Sequence, residues 1–356
     1  MAQEQMGFPE ALAILRKHAN QSDAVPAWPA DSWQALAHCG ALGWCIPAAY
    51  GGEERTGFAL LDGYEQLAGA CLTTCFILSQ RDAACRRLRD SGNETLCRQL
   101  LPALAGGEAF ATVGLSQLTT SRQHMKPSFV ARQVDGGVVL NGAVPWVTGA
   151  AKADHLIIGA VLEDGQQILA VLPRGLGGVS VGPPLELMAL EGSLTAEVYC
   201  DQAPLENRWI LAGPAERVMA GGRGGTGGLE TSCLALGLAG AAIDYLAEEA
   251  KARPELRLST ERLEQTRRTI RQEMHTLAES SCSTEAAATL RARANSLVLR
   301  ATQAALTASK GTGFLRQHPA QRWARQALFF LVWSCPRPAA EATLAALAPP
   351  EAFACP

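Results

Sequence analysis

Three side chains stand out for the chemistry they could do together: Ser116, Trp146 and Thr148. A flat heteroaromatic ligand is suited by hydroxyls for its ring nitrogens and carbonyls and by an indole for its face. The three lie at the ends of residues 110–149, in the motifs Leu115-Ser116-Gln117-Leu118 and Trp146-Val147-Thr148-Gly149. Between the motifs, apolar β-branched runs are interrupted by Asp135-Gly136 and Asn141-Gly142, the composition of two-residue hairpin turns. The side chains are therefore expected to meet where two neighbouring strands end. The competing reading is also definite: a Trp after a hairpin is ordinarily a core residue, and Trp146 would then be buried.

Other chemistry is less well served. Eleven cysteines and six histidines are scattered, without a Cys-x-x-Cys or paired histidines at ligand spacing. Cys71 and Cys75 share a face of an expected helix without making a metal site, so no metal is expected and buried reduced thiols are the better reading. Residues 220–228 are glycine-rich but lack the Gly-Lys-Ser/Thr ending of a phosphate loop and a convincing strand before them. They read as a flexible loop ahead of a helix.

The elements that must position these residues follow from pattern. Apolar residues at three- and four-residue spacing predict helices across residues 1–108, with amphipathic runs over Leu60 to Leu78 and Asp82 to Leu104. Residues 109–212 change to β-rich runs, Leu156 to Val161, Ile168 to Leu172 and Val198 to Cys200, separated by Gly, Pro and Asp-Gly turns. Helices return over Ser232 to Ala252, Glu261 to Glu279, Glu285 to Ser309 and Ala320 to Trp333, a bundle of four. Helices, then strands, then helices is a segregated α+β order rather than an alternating one, which argues against a dinucleotide-binding βαβ domain. The expected domains are 1–108, 109–212 and 213–356.

With 356 residues, 48% of them hydrophobic and 18% charged, the chain can bury a sizeable core. A net charge of −3 implies no nucleic-acid partner. No apolar run reads as a membrane span and the start does not read as a signal peptide, so a cytoplasmic location is expected.

The segment Leu140-Asn-Gly-Ala-Val-Pro-Trp-Val-Thr-Gly-Ala-Ala-Lys-Ala-Asp154 resembles the LNGxKxWITNGxxAD segment of the acyl-CoA dehydrogenase family. Ala41 to Gly52, ALGWCIPAAYGG, resembles that family's LGLxGIxxPxEYGG. The likeness runs to about residue 338. It implies an N-terminal helical domain, a middle β-barrel domain and a C-terminal four-helix bundle, with FAD between the last two. Leu115 and Ser116 then fall on the family's flavin-contacting Val-Thr pair, while Trp146 and Thr148 match outright. Arg253 matches the Arg of R-x-x-F-G, which binds the FAD pyrophosphate on a neighbouring subunit; on its own it reads as a helix C-terminal cation. Gly311 and Gly313 are what remains of Q-x-x-G-G-x-G, with Lys310 a cation beside them. The Phe and Gly of R-x-x-F-G are missing, and a Gln is replaced by Glu264, a negative charge where a phosphate is expected. Because these half-sites are completed across a subunit interface, a homodimer or homotetramer is implied.

The resemblance also implies α,β-desaturation of an acyl-CoA or similar acyl thioester, with electrons passed to an electron-transfer flavoprotein. That chemistry needs a carboxylate to take the α-proton. At the usual position of the family's Glu stands Ser334; at the alternative one stands Gly227. Glu230, about one turn further along a helix, is the remaining candidate base, although a first-turn Glu is also what the helix dipole favours. Arg122 replaces a serine that contacts the CoA phosphate. Two alternatives stay open: a flavin-dependent monooxygenase on the same fold, which needs no such base, and a binding or scaffold homologue that has lost catalysis.

Overall fold

The computed structural model describes residues 6–119, 127–219, 228–279, 283–333 and 337–348. Five helices come first: α1 (Phe8–Ala24), α2 (Ala30–His38), α3 (Gly57–Ala70), α4 (Leu72–Asp90) and α5 (Glu94–Gly106). The run expected as one helix over Leu60 to Leu78 is two, broken at Cys71, whose backbone is extended. The break lets α3 lie along the C-terminal bundle while α4 packs against the sheet. The run over Asp82 to Leu104 is likewise split. Gly92 takes a φ of 73°, and Asn93 Oδ1 then accepts a hydrogen bond from Leu96 N to cap α5.

The middle of the chain forms an eight-stranded sheet, β1 (Ala111–Gly114), β2 (Phe129–Val134), β3 (Gly137–Val147), β4 (His155–Leu162), β5 (Gln167–Pro173), β6 (Val179–Val181), β7 (Ala196–Glu206) and β8 (Ile210–Ala215). Its order is β6-β7-β3-β2-β4-β5-β8. β1 and β2 both run parallel along one edge of β4, and β5 takes the other edge. The helix α6 (Ser116–Thr119) follows β1 directly. Phe129, Leu140, Leu156, Ile158, Leu172 and Val198 fill one face of the sheet, while Val113, Ile157, Leu169 and Val171 face α4 and α5 on the other. A strand with apolar residues on both sides belongs inside a layered core.

The Asp135-Gly136 turn joins β2 and β3 as expected, with Val134 paired to Gly137. Asn141-Gly142 is not a turn. It lies inside β3 at a register shift against β7, with Gly142 at a φ of 110°. A Cβ there would sit 2.2 Å from Ser128 O, so the glycine serves a bulge and a close backbone approach.

Helices resume with α7 (Leu229–Ala252), α8 (Arg257–Glu279), α9 (Thr284–Ser309), α10 (Pro319–Phe329) and α11 (Arg337–Leu347). The bundle therefore gains a fifth described helix, and α10 ends at Phe329 rather than Trp333. Helix α7 is central, packed against α3, α8 and α9. By length and composition alone it could cross a bilayer, contrary to the sequence reading, but 72% of its apolar window is buried within the fold. Its small residues permit that packing: a Cβ on Gly237 would lie 2.2 Å from Glu65 O on α3.

Candidate active site

The end of β1 and the end of β3 approach each other although the strands are not neighbours in the sheet, since β1 pairs with β4 and β3 with β2 and β7, and Ser116 starts α6 rather than continuing the strand. Its Oγ donates a hydrogen bond to Pro145 O at 3.0 Å, joining the two motifs. Gln117 secures α6 to the sheet through Nε2, which donates to Gly159 O at 2.6 Å. Leu115 is buried beside Leu118. Trp146 is 60% exposed, which overturns the core reading. Its φ is 58°, and a bulky residue rarely holds a left-handed backbone away from functional sites. Thr148 is buried at the following turn. Gly149 holds that turn with a φ of 66° and an N–H that donates to Ser193 O at 2.8 Å. Any Cβ there would approach the Phe110 ring to 2.8 Å. Asp154, the last residue of the quoted motif, accepts from Phe110 N at 2.9 Å and ties the turn back to β1.

Helix α4 connects this edge to the bundle. Its Ala84, Cys85 and Leu88 pack in one cluster with Leu115 and Leu118. The next residue round the helix, Arg86, has Nη2 3.6 Å from Glu230 Oε1, at the start of α7. Glu230 thus adjoins α4, the helix that also packs against β1, with its carboxylate already facing a cation. Arg86 Nη1 also lies 3.5 Å from Tyr64 Oη, which donates to Asp82 Oδ2 at 2.6 Å. Asp82 pairs with Arg81 at 2.6 Å, and both are fully buried. Arg81 further donates to Leu42 O at 2.5 Å and to Leu104 O. Burial and the Asp82 charge push the Tyr64 hydroxyl well up. Burial and the neighbouring Arg86 push Arg87 down to about 10, with Glu230 and Asp90 opposing. Sequence reading missed Arg86, Tyr64 and Asp82. In the string Arg86-Arg87-Leu88-Arg89 nothing separates a buried guanidinium from a solvated face.

Arg253 and the glycines form a second group. Arg253 Nη1 donates to Ala308 O at 2.8 Å, and the guanidinium lies 3.7 Å from Glu249. Tyr245, Ser309, Lys310, Gly311, Thr312 and His318 complete a surface cleft there. Gly311 has open space beyond its Cα, and Gly313 is buried against Leu306 and Ser309. At ~1.5 Å per residue, the length of α7 separates Glu230 from Arg253 by roughly 35 Å. The two groups therefore cannot hold the same end of one ligand within this chain. Glu264 is not a bare negative charge: Arg267 and Arg268 each donate to it at 2.8 Å. Burial raises its pKa, and those two hydrogen bonds outweigh it, leaving a net lowering.

These residues fit a flavin dinucleotide. An exposed indole next in sequence to Pro145, whose carbonyl accepts from Ser116, offers a ring face, and among the described residues Arg253 Nε is buried without a hydrogen-bond partner, a donor beside a cleft that already contains Lys310. Arg122, Gly227 and Ser334 lie outside the described residues, as does most of the glycine-rich segment. Among the described residues, Cys45, Asp82 and Cys85 bring possible metal-ligating atoms within 4.8 Å of one another. The Asp82 carboxylate is already taken by Arg81 and Tyr64.

Residues 11–108 match the family model of the acyl-CoA dehydrogenase N-terminal domain. The probable acyl-CoA dehydrogenase YngJ of Bacillus subtilis is 25% identical over 251 residues, covering 67% of this chain and 65% of YngJ. The chain thus spans between about half and two thirds of the curated relatives it matches, 52% for the probable acyl-CoA dehydrogenase fadE25 of Mycobacterium bovis. A glutaryl-coenzyme A dehydrogenase solved with glutaryl-CoA superposes with a TM-score of 0.84 at 20% identity, over 96% of this chain and 94% of that one. The prolyl acyl carrier protein oxidase AnaB superposes at 0.78 with 17% identity, over 98% of both chains. At such identities these structures establish the fold alone. Together with the matched N-terminal domain and the curated relatives, they make this chain similar to the acyl-CoA dehydrogenase family in fold and in sequence.

Proposed function

We propose that the protein is an FAD-dependent oxidoreductase that desaturates an acyl thioester between its α- and β-carbons. The observation that supports this reading is that α4 packs one face against β1, which leads into Ser116, while Arg86 on another face of the same helix meets Glu230 at the start of α7. Ser116, Trp146 and Thr148 would hold the isoalloxazine, and Arg253 with Gly311 and Gly313 the pyrophosphate end of a neighbouring subunit's flavin. Bound FAD supplies the hydride acceptor for the β-carbon. The chain must supply the rest: a dry edge that orients the thioester, and a carboxylate for the α-proton. Glu230 is the candidate for that role, and to act it has to leave Arg86 and turn toward the substrate. An electron-transfer flavoprotein is the proposed acceptor.

The contact between Glu230 and Arg86 also favours a second reading, a flavin-dependent monooxygenase, which needs no α-proton base. One experiment separates them. Protein reconstituted with FAD is mixed anaerobically with a panel of acyl-CoA thioesters, and flavin absorbance is followed. Bleaching by a thioester supports desaturation. No bleaching, with substrate-dependent oxygen uptake once a reductant is added, supports the monooxygenase. Failure to bind FAD at high micromolar concentration rejects both and leaves a non-catalytic homologue.

A further inference from the structure

A cleft of about 970 Å³ lies between α1, α3, α7, α8 and α10. Tyr245 separates it from the Arg253 cleft: its Oη accepts from Ser309 Oγ at 2.9 Å on that side, and its ring meets Trp323 on the other, with centroids 5.8 Å apart. Gly69, Gly237, Gly240 and Ala241 line it with little more than backbone. Its charges do not balance, since five arginines face four carboxylates. Three of each close on one another: Arg267 with Glu65 and Glu264, Arg268 with Glu264, and Arg271 with Glu65 and Asp62. Arg16, Arg322 and Asp244 remain, and none of them makes an ion pair among the described residues. Arg322 is 8% exposed, and its hydrogen-bond acceptor there is a neutral one, Asn20 Oδ1. That amide is fixed in turn, because Asn20 Nδ2 donates to Gln317 O at 2.7 Å. Arg16 stands one turn before Asn20 on the same face of α1, so both free guanidiniums reach the cleft beside Asn20. Asp23, further along α1, is taken by Arg325 at 2.7 Å. Burial pushes the pKa of Arg322 down, and Arg325 pushes the same way. A buried cation served by a neutral amide carries a desolvation cost that a close anion would offset.

We propose that this cleft binds a small aromatic acid, with its carboxylate or phosphate at Arg16 and Arg322 and its ring along the glycine-lined floor beside Tyr245 and Trp323. The site is separate from the proposed flavin and thioester positions and does not depend on them. An oxyanion can occupy two N–H groups of a guanidinium fork and supplies the counter-charge that Asn20 cannot. A flat ring can lie close to backbone where side chains would hold it off, and it gains the edge and face contacts that Tyr245 and Trp323 offer. The volume is that of a small-molecule site. The three paired carboxylates and their arginines close one end of the cleft without adding net charge, so the anion is directed to the α1 and α10 side.

Calorimetric titration of the full chain with 2-naphthoate, 2-naphthyl phosphate and the neutral 2-naphthol, each with and without saturating FAD, tests this. At least one of the two anions is expected to bind ~10-fold or more tightly than naphthol, and the tighter of them tells whether the cleft takes a carboxylate or a phosphate. Arg322→Met should remove that preference. The affinity should persist with FAD present; its loss would put the ligand in the flavin cleft and overturn the inference. Equal binding of all three probes, or binding of none, also overturns it. So does inorganic phosphate binding as tightly as the naphthyl anions, which would reduce the site to an adventitious ion only. A preference that survives in folded Arg322→Met, verified by its melting curve, sinks it as well. Should Arg322→Met not fold, Arg16→Gln at an exposed position decides the matter. That change should weaken the preferred anion by ~3-fold or more and leave naphthol unchanged, and an unaltered anion affinity counts against the site.

Discussion

At the scale of single residues, the side chains that read clearly in the sequence are those whose roles are set by short-range geometry. Ser116, Trp146 and Thr148 flank strand ends, and the two motifs are joined by one contact, Ser116 Oγ to Pro145 O. Trp146→Ala combined with Thr148→Val is therefore expected to weaken FAD binding by at least about tenfold in calorimetry, from the lost ring contact and hydroxyl. An unchanged affinity would return Trp146 to the role of an exposed surface residue. Arg86 was not legible, because a guanidinium on a mixed-charge helical turn becomes buried only when α4 and α7 close over it. Glu230 was legible as a carboxylate at a helix start, but its pairing with Arg86 was not. If Glu230 is the base, Glu230→Gln should lower the rate of flavin reduction by about 100- to 10,000-fold with FAD still bound. Ser334→Ala should cost little. A Glu230→Gln protein that is reduced at the wild-type rate would make this residue a helix-start anion and nothing more.

At the scale of elements, the order of helices, strands and helices was readable from periodicity, and the strands over Leu156 to Val161 and Ile168 to Leu172 appear as β4 and β5. What periodicity could not show is where a helix bends. Cys71 interrupts an apolar run that is continuous in sequence, because α3 must follow α7 while α4 turns toward the sheet. The close approach of α3 to α7 depends on Gly237, whose absent Cβ leaves room for Glu65 O. On the other side, Arg267 and Arg271 of α8 bind the buried Glu65 carboxylate at 2.8 and 2.9 Å, so three helices converge at one residue. Gly237→Ala is expected to force α3 and α7 apart and to destabilise the fold by about 1–3 kcal/mol, the usual range for overpacking. Urea unfolding should show a lower midpoint at an unchanged slope. An unaltered midpoint would mean that the helices part without cost. Asn141-Gly142 carries the same lesson for strands: the dipeptide that marks a turn also marks a bulge, and only pairing with β7 decides between them.

At the scale of the whole molecule, the candidate site is divided. The proposed ring-binding edge adjoins α4, whose Arg86 meets the start of α7, and the Arg253 cleft lies past the other end of α7, about 35 Å from Glu230 by helix rise. One chain cannot present both to a single dinucleotide, but two chains related by a twofold axis can, each lending its Arg253 cleft to the flavin of the other. The surface beside that cleft supports such an arrangement: Phe314 is 82% exposed and Leu315 50%, both following directly on Gly313. Large apolar side chains grouped at the rim of a polar cleft mark a surface that a partner covers. Closed symmetry makes a dimer or a dimer of dimers the expected assembly. Light scattering at working concentration should therefore give at least twice the mass of one chain. Phe314→Asp with Leu315→Asp should shift the protein toward monomer and weaken FAD binding in parallel. The coupling is the informative part. A monomeric double variant that keeps full FAD affinity would show that one chain holds the flavin by itself, and Arg253 would revert to a cation at a helix end.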